Sequence, residues 1–426
     1  MKTSRYNYFI YRNGKHVFFN GRTKRFFEVS DKNYEVFKDV ILNPQNYKDK
    51  YLVFLEKMLD EGFVVNDDID ELDLVRQAYE QGKCPDAYML IVLPTYQCNL
   101  SCWYCVQKHQ DMVMSEETMR RLKLHIANYL KENKIKYFNL SWFGGEPTLE
   151  YEKMIAISRY AKDICDKLKV KYNATLTTNG TLLNEERIKE LREVNVTDFQ
   201  ITIDGRREQH NKVKRLKEGS AFDIALTNIT HIVRLIPEAN CYLRINYTDK
   251  NLLPEDIMND INECIPLDLR KYIKILPKQV WQVQDDKIDD DKVKKLRQEV
   301  RKTNYNVHAC ELGMCYTDRA HFNCIYPNGV VGKCDNEDMS AARGYLGDSG
   351  KIVWNTDYPY QTQSILDDAA SCKQCKYLPI CWGPCPKMRD EMIMKTGTVQ
   401  CAFDDKEKKI NKYIDSYVES FLKDDK

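Results

Sequence analysis

The stretch Cys98-Asn-Leu-Ser-Cys102-Trp-Tyr-Cys105 directly follows an apolar run at residues 88–94. This run has the length and composition of a buried strand, so the three cysteines fall on the loop at its carboxyl end. Thiolates with gaps of three and two residues can bind three irons of a [4Fe–4S] cluster and leave the fourth iron open. The alternative is zinc, which prefers two pairs of Cys ligands and would need a fourth ligand from elsewhere in the chain.

Beyond Cys105, strand-like apolar runs alternate with stretches of helical periodicity. The expected strands are residues 88–94, 137–143, 171–178, 198–203, 241–246 and 272–276, and the expected helices include 116–130, 151–168, 184–194, 221–235 and 254–264. Six such repeats are too few for the eight of a closed TIM barrel. The sequence therefore predicts an α/β fold built on an open, partial (β/α)6 barrel, with its chemistry at the carboxyl ends of the strands.

Two motifs stand at such strand ends. Gly144-Gly145-Glu146-Pro147 follows the second expected strand, and Thr177-Thr178-Asn179-Gly180 follows the third. Each motif alone usually indicates only a turn. In this order after the three-Cys loop, however, they resemble the radical SAM enzymes.

The resemblance implies a [4Fe–4S] cluster on Cys98, Cys102 and Cys105 whose open iron binds S-adenosylmethionine. It also implies a set of residues that contact this cofactor: Gly144, Gly145, Glu146 and Thr178, with Asn246 on the fifth strand as a further candidate. Related enzymes often carry Asp-Gly, then His-Asp, then Arg after the fourth strand. This chain has Asp204-Gly205, His210 and Arg215, but Asn211 replaces the acid. We therefore interpret His210 as a hydrogen-bonding residue rather than a proton carrier.

The cysteines from residue 310 onward include a CxxC pair, then gaps of five and three residues and a trailing Cys. This pattern resembles the SPASM extension of radical SAM enzymes. The resemblance implies two auxiliary [4Fe–4S] clusters, one held by Cys315, Cys334 and Cys385, the other by Cys372, Cys375, Cys381 and Cys401. Cys310 is placed to provide the fourth ligand of the first cluster, and Cys324 is the alternative. The cysteine that does not bind the cluster would be a buried free thiol. A disulfide framework is the alternative, but it suits small secreted domains rather than a 426-residue chain with no evident signal peptide.

The region before the barrel, residues 1–80, is long enough for a small domain. Its pattern is a hairpin of residues 6–11 and 16–19 with an Asn13-Gly14 turn, a strand at 23–29, helices at 31–42 and 49–61, and a strand at 63–65. This order resembles the PqqD-like domains fused to radical SAM maturases, which implies that a leader peptide adds a strand to the sheet edge. The alternative is a cap that covers the open side of the barrel.

These observations predict four regions: a PqqD-like α+β domain at 1–80, a radical SAM core at 86–300, a SPASM domain at 305–405 and a C-terminal helix at 406–426. The resemblance implies a cytoplasmic radical SAM oxidoreductase that removes a hydrogen atom from a ribosomally made precursor peptide and forms a carbon–sulfur, carbon–carbon or carbon–oxygen crosslink. It uses three clusters, S-adenosylmethionine and an electron donor such as flavodoxin or ferredoxin. Asp335, directly after Cys334, is the candidate base.

Two alternatives remain open. An anaerobic sulfatase-maturating enzyme shares the same core, clusters and acid but usually lacks a long amino-terminal extension. A non-catalytic cluster- or zinc-binding scaffold is the more distant one. The chain has 65 basic and 64 acidic residues, so charge gives no case for nucleic acid or anionic membrane. No apolar run approaches the roughly 20 residues that span a bilayer.

Overall fold

The computed structural model describes residues 1–12, 14–105, 107, 109–280, 282, 289–308, 312–336, 343–355 and 364–421. The chain divides into two units. The terminal unit contains residues 1–84, 309–319 and 360–426, and the barrel unit contains residues 85–308 and 320–359. The predicted domain at 1–80 therefore shares a unit with later segments, and the predicted SPASM segment contributes to both units.

The terminal unit begins with a small sheet followed by helices. Its elements are β1 (Lys2–Thr3), β2 (Asn7–Arg12), β3 (Lys15–Asn20), β4 (Phe26–Val29), α1 (Asp31–Leu42), α2 (Leu52–Asp60), β5 (Val64–Val65) and α3 (Glu71–Gly82). Strands β2, β3 and β4 form an antiparallel sheet, and β1 pairs with β5. Gly14, between β2 and β3, has a φ of +78°, as the expected hairpin turn requires. Asn13 lies outside the described residues.

The barrel unit alternates strands and helices from its first element. It contains β6 (Ala87–Val92), α4 (Glu116–Glu132), β7 (Tyr137–Trp142), α5 (Tyr151–Leu168), β8 (Lys171–Thr178), α6 (Glu185–Glu193), β9 (Val196–Ile203), α7 (Arg207–Lys214), α8 (Ala221–Leu235), β10 (Asn240–Tyr247), α9 (Pro254–Cys264), β11 (Ile273–Gln279), α10 (Asp290–Lys302), β12 (Asn306–Val307), β13 (His321–Ile325), β14 (Val330–Gly332), β15 (Gly344–Leu346) and β16 (Ile352–Trp354).

The terminal unit ends in short helices and one long helix. They are α11 (Ile365–Asp368), α12 (Ala370–Lys373), α13 (Leu378–Cys381), α14 (Pro386–Thr396) and α15 (Lys406–Phe421). Along α15, Ile410, Ile414 and Val418 recur at one-turn spacing and are buried with Tyr8 and Val17 of the amino-terminal sheet. This apolar stripe fixes the helix against the sheet.

The strands of the barrel unit form one large sheet. Among the described residues its order is β12-β11-β10-β9-β8-β7-β6-β13-β14-β15-β16. Strands β6 to β11 lie side by side in chain order, and each neighbouring pair is parallel. The predicted α/β fold with an open, partial (β/α)6 barrel is confirmed. Two parallel strands extend it, β12 beside β11 and β13 beside β6.

A single buried cluster lies between this sheet and its helices. It takes alternate residues of the strands, such as Leu140 and Trp142 on β7, and the inner faces of α4, α5 and α8. The polar motifs are thereby left at the strand ends, where the chain turns away from the core. No helix among the described residues is both long enough and apolar enough to cross a membrane.

Candidate active site

The three-Cys loop lies between β6 and α4, at the carboxyl end of β6. It is held by local contacts: the Leu100 backbone N–H donates to Cys98 Sγ over 3.4 Å, and the Cys105 N–H donates to the Cys102 carbonyl over 3.2 Å. Cys105 Sγ is 3.4 Å from His109 Nε2. The loop therefore places all three thiols at one strand end, as the sequence predicted.

The chemistry of these thiols fits an iron–sulfur cluster. Burial raises the pKa of Cys98 to about 12 and raises the pKa of Cys102 and Cys105, so metal binding must displace their protons. Among the described residues, no group of three Cys, His, Asp or Glu side chains is arranged to hold one metal ion. Zinc would need a fourth ligand from elsewhere in the chain, whereas three thiolates suffice to bind three irons of a cluster.

The Gly-Gly-Glu motif at the end of β7 packs against the start of this loop. The Gly145 N–H donates to the Thr95 carbonyl over 3.2 Å, and the Glu146 N–H donates to the Gln97 carbonyl over 2.8 Å. Gly144 has a φ of +124°, and a Cβ on Gly145 would overlap the backbone of Gln97. Both glycines are thus required for the close approach of these two backbones.

Glu146 connects the ends of β7 and β8. Its side chain is 1% exposed and accepts from Thr178 Oγ1 over 2.7 Å and from the Asn179 N–H over 2.8 Å. Burial raises the pKa of Glu146 even though these hydrogen bonds oppose the shift. Oε2 accepts from Asn179, and a carboxylate oxygen can take a second donor such as an ammonium group. Asn179 Nδ2 also reaches Cys98 Sγ, at 4.0 Å.

A buried ionic network that the sequence did not predict lies beside Cys102. Lys214 Nζ is 3.2 Å from Asp204 Oδ2 and donates to Tyr104 Oη over 3.3 Å. Tyr104 donates to Asp204 Oδ1. Burial lowers the pKa of Lys214, but Asp204, Tyr104 and Cys102 outweigh burial and raise it. A charged lysine therefore lies beside the loop thiols, with its charge paired to Asp204.

Lys214 directly precedes Arg215, the arginine that the family resemblance indicated. Helix α7 ends at Lys214, and Arg215 turns outward with a φ of +54°. His210 Nδ1 accepts from the Asp204 N–H over 3.1 Å, and burial lowers the pKa of His210 to about 3. His210 is thus a neutral hydrogen-bonding residue, as we interpreted it.

Asn246 belongs to the same network. Its Nδ2 donates to Tyr104 Oη over 3.0 Å, and its Oδ1 accepts from Arg244 Nε over 2.8 Å. The side chain is 4% exposed. Both ends of the amide are therefore engaged by protein groups, and its contact with S-adenosylmethionine stays a prediction.

Asp335 lies next to the three-Cys loop in the barrel unit. Gln107, two residues after Cys105, donates to the Asp335 carbonyl over 3.2 Å. Tyr326 donates to the Cys334 carbonyl over 2.9 Å, and Cys334 Sγ lies 3.9 Å from Asp335 Oδ1. These contacts bring the candidate base to the edge of the sheet that carries the candidate cluster.

The cysteines assigned to the first auxiliary cluster fall into both units. In the terminal unit, Cys315 and Cys385 are hydrogen-bonded, which together with burial raises the pKa of Cys315. Cys334 belongs to the barrel unit. Cys324 is buried on β13, and Cys310 lies outside the described residues. Which of these two completes the cluster stays a prediction.

The second auxiliary set comes together within the terminal unit. One cavity is lined by all four cysteines, Cys372, Cys375, Cys381 and Cys401. Its volume is about 380 Å³, including the solvent space at its opening. Burial raises the pKa of Cys381 to about 11, and the Gly383 N–H donates to its sulfur over 3.4 Å. Four thiols around a single cavity are the donor set that a closed [4Fe–4S] cluster requires.

Comparison with known proteins agrees with this geometry. Residues 92–261 match the family model of the radical SAM superfamily. Curated relatives include Fe-coproporphyrin III synthase of Methanosarcina barkeri, 28% identical over 32% of this chain and 31% of that protein. Another is the serine-type anaerobic sulfatase-maturating enzyme of Bacteroides thetaiotaomicron, 26% identical over 42% of this chain and 41% of that protein. The chain thus matches less than half the length of either relative.

Solved structures share the fold. "Native anSMEcpe with bound AdoMet and Cp18Cys peptide" matches with a TM-score of 0.53 and 18% identity over 79% of this chain and 96% of that chain. Streptococcus suis SuiB bound to precursor peptide SuiA matches with a TM-score of 0.50 and 15% identity over 93% of this chain and 97% of that chain. With the family match and the three motifs meeting at one sheet edge, residues 92–261 are a radical SAM domain.

Proposed function

We propose that the protein is a radical SAM enzyme that modifies a ribosomally made precursor peptide, most simply by crosslinking two of its side chains. One observation carries the proposal: the three-Cys loop, the Gly-Gly-Glu motif and the Thr178–Asn179 turn are hydrogen-bonded to one another at one edge of the parallel sheet. When bound, S-adenosylmethionine and a reduced cluster supply a 5′-deoxyadenosyl radical that takes a hydrogen atom from a substrate carbon. The protein supplies orientation and exclusion of water.

The residues of this edge have separate roles in the proposal. Cys98, Cys102 and Cys105 bind the cluster, and the Gly144–Glu146 backbone with Glu146 Oε2 receives the ammonium group of the cofactor. Lys214, paired with Asp204, holds Tyr104 of the three-Cys loop in place beside Cys102. The cavity at Cys372, Cys375, Cys381 and Cys401 would hold an auxiliary cluster, which can take up the second electron. Flavodoxin or ferredoxin is the electron donor we propose.

The peptide substrate is supported by the amino-terminal sheet. Strands β2 and β4 are its edges, and an edge strand can pair with an extended peptide. Arg12, the last residue of β2, forms ion pairs with Asp415 and Glu419 of α15. The leader would add to one of these two edges. The solved structure of SuiB, which holds its precursor peptide SuiA, shares the fold.

The test is anaerobic incubation of reconstituted protein with S-adenosylmethionine, dithionite and a synthetic precursor peptide encoded beside the gene. A crosslink removes two hydrogen atoms and suppresses fragmentation between the joined residues in tandem mass spectrometry. A peptide without its leader should be modified much less. Equal modification of the leaderless peptide would contradict leader recognition, and release of 5′-deoxyadenosine with an unchanged precursor would contradict this substrate.

We assign Asp335 as the proton acceptor in product formation because Gln107 fixes its backbone beside the three-Cys loop. Asp335→Asn keeps the shape of the side chain but removes its basicity. This variant should keep its iron and release 5′-deoxyadenosine, yet form little crosslinked peptide. Asp348→Asn, at an exposed acid of the same unit, is the matched control and should behave as wild type. Normal product from Asp335→Asn would leave Asp335 a structural residue.

Sulfatase maturation is the second candidate, favoured by the sequence match to the Bacteroides thetaiotaomicron enzyme. A sulfatase peptide with Cys or Ser at the modified position would then gain an aldehyde, which a hydrazine reagent labels. A crosslinked peptide carries no aldehyde. Presenting both peptides to the same preparation separates the two functions in one experiment.

A further inference from the structure

The amino-terminal segment contacts the chain that carries the second auxiliary set of cysteines. Three of its side chains donate to backbone carbonyls spaced three residues apart: Arg5 Nη2 to Lys373 O over 2.5 Å, Tyr8 Oη to Lys376 O over 2.6 Å and Lys24 Nζ to Pro379 O over 2.9 Å. Tyr8 also stacks on Tyr377, with ring centroids 5.7 Å apart. The stretch from Cys372 to Cys381 is thus held along its length by the amino-terminal segment.

Lys24 differs from Tyr8, which is neutral, and from Arg5, whose charged side chain is exposed, because it brings a charge into a partly buried contact. It lies in the turn between β3 and β4 with a φ of +59°, and its side chain is partly buried. Its acceptor, Pro379, shares the helical turn α13 with Cys381. Among the described residues Lys24 has no carboxylate partner within 4 Å. A desolvated ammonium without a counter-ion is costly, so burial lowers the pKa of Lys24 to about 7, and negative charge at Cys381 opposes that shift. An anionic cluster at this site would therefore favour the charged form of Lys24.

The other charges around the cavity cannot take this role. Arg389 is buried, but Asp318 balances it through an ion pair of 2.9 Å. Lys406 lines the cavity but is exposed, so water and salt screen its charge. Lys376, next to Cys375, is also exposed, with its ammonium over the rings of Tyr8 and Tyr377. Lys24 is the partly buried cation that donates to the helical turn of Cys381. A four-thiolate [4Fe–4S] cluster is anionic and gains a further negative charge when it is reduced.

We infer that Lys24 is a positioning residue of the amino-terminal segment that raises the reduction potential of the second auxiliary cluster by stabilising its reduced state. This inference rests on the proposed function because it requires a cluster at Cys372, Cys375, Cys381 and Cys401. At an effective dielectric constant near 20, a unit positive charge within about 10 Å of the cluster would change the equilibrium constant for its reduction by about tenfold. For a one-electron couple, tenfold corresponds to about 59 mV.

The test is an anaerobic redox titration of the full-length reconstituted protein, followed by electron paramagnetic resonance. The signal of this cluster is the one lost, together with about four irons, when Cys372 and Cys401 are changed to Ala. Lys24→Met and Lys24→Gln remove the charge, and Gln keeps a donor for Pro379 O. Both should lower the midpoint potential by about 59 mV, while Lys24→Arg should restore it.

Arg25→Met is the matched control. It removes the same charge at the neighbouring residue, whose side chain is 70% exposed and paired with Glu61, and should leave the potential unchanged. The inference is overturned if Lys24→Met and Arg25→Met have the same midpoint potential. It is also overturned if Lys24→Met shifts the potential and Lys24→Gln does not. If the Cys372 and Cys401 change removes no iron, the second auxiliary cluster of the proposed function fails instead.

Discussion

Replacing Lys214 with Met should destabilise the barrel unit by about 3–5 kcal/mol. The side chains of Lys214 and Asp204 are 6% and 2% exposed, and their charged atoms lie 3.2 Å apart. At an effective dielectric constant near 20, this separation corresponds to a gross attraction of about 5 kcal/mol. Met keeps most of the apolar volume of the side chain, so the main loss is the charge. Removing one partner of a buried pair leaves the other uncompensated and typically costs about 3–5 kcal/mol.

The measurement is hydrogen exchange with mass spectrometry on peptides from β8, β9 and β10, whose protection reports the unfolding free energy of this unit. Lys212→Met is the matched control, because Lys212 bonds to Glu208 with side chains 68% and 76% exposed. That change should cost less than about 1 kcal/mol. Adding Asp204→Asn to Lys214→Met should recover part of the loss. A Lys214→Met protein no less stable than Lys212→Met would refute the buried-pair argument.

Two further predictions concern the barrel unit. Gly145→Ala should reduce binding of S-adenosylmethionine at least tenfold in equilibrium dialysis, because the new Cβ displaces the Gln97 backbone at the start of the three-Cys loop; unchanged binding would contradict this. His125 is buried, and burial lowers its pKa to about 4. Below pH 6.5 the unfolded chain therefore binds a proton at His125 that the folded protein does not bind. The free energy of unfolding should fall as the pH decreases towards 4. Urea unfolding should therefore show His125→Gln losing about 3 kcal/mol less than wild type between pH 7 and pH 4, and parallel pH curves would contradict the assignment.

The parallel strands could be predicted from the sequence because strands buried on both faces consist of continuous apolar runs. The expected strand at residues 171–178 is observed as Lys171–Thr178, and the other five strands of the barrel overlap theirs closely. The motifs at their ends followed from this alternation. Helix α7 was missed because Arg207–Lys214 is only eight residues long and almost entirely polar. Strands β12 and β13 were missed because β12 has two residues and β13 pairs with β6, far away in sequence.

Lys214 could not be chosen from sequence because Lys212, Arg215 and Lys217 surround it. Which of these cations faces Asp204 depends only on the position of each residue around the axis of α7. The contact between the amino-terminal sheet and the Cys372–Cys381 stretch was equally hidden, since it joins residues more than 350 positions apart. Local patterns identify elements and loops, but which distant segments pack together depends on the tertiary fold. The PqqD-like assignment of residues 1–80 stays a prediction for the same reason.

The most direct test of the account is the iron content and S-adenosylmethionine cleavage of protein reconstituted without oxygen. Wild type should hold about twelve irons per chain, four for each of three clusters, and release 5′-deoxyadenosine when reduced. Changing Cys98, Cys102 and Cys105 to Ala should leave about eight irons and abolish the release, whereas Cys264→Ala, outside the predicted ligand sets, should change neither. Zinc in place of iron, or 5′-deoxyadenosine still formed by the triple variant, would contradict the account.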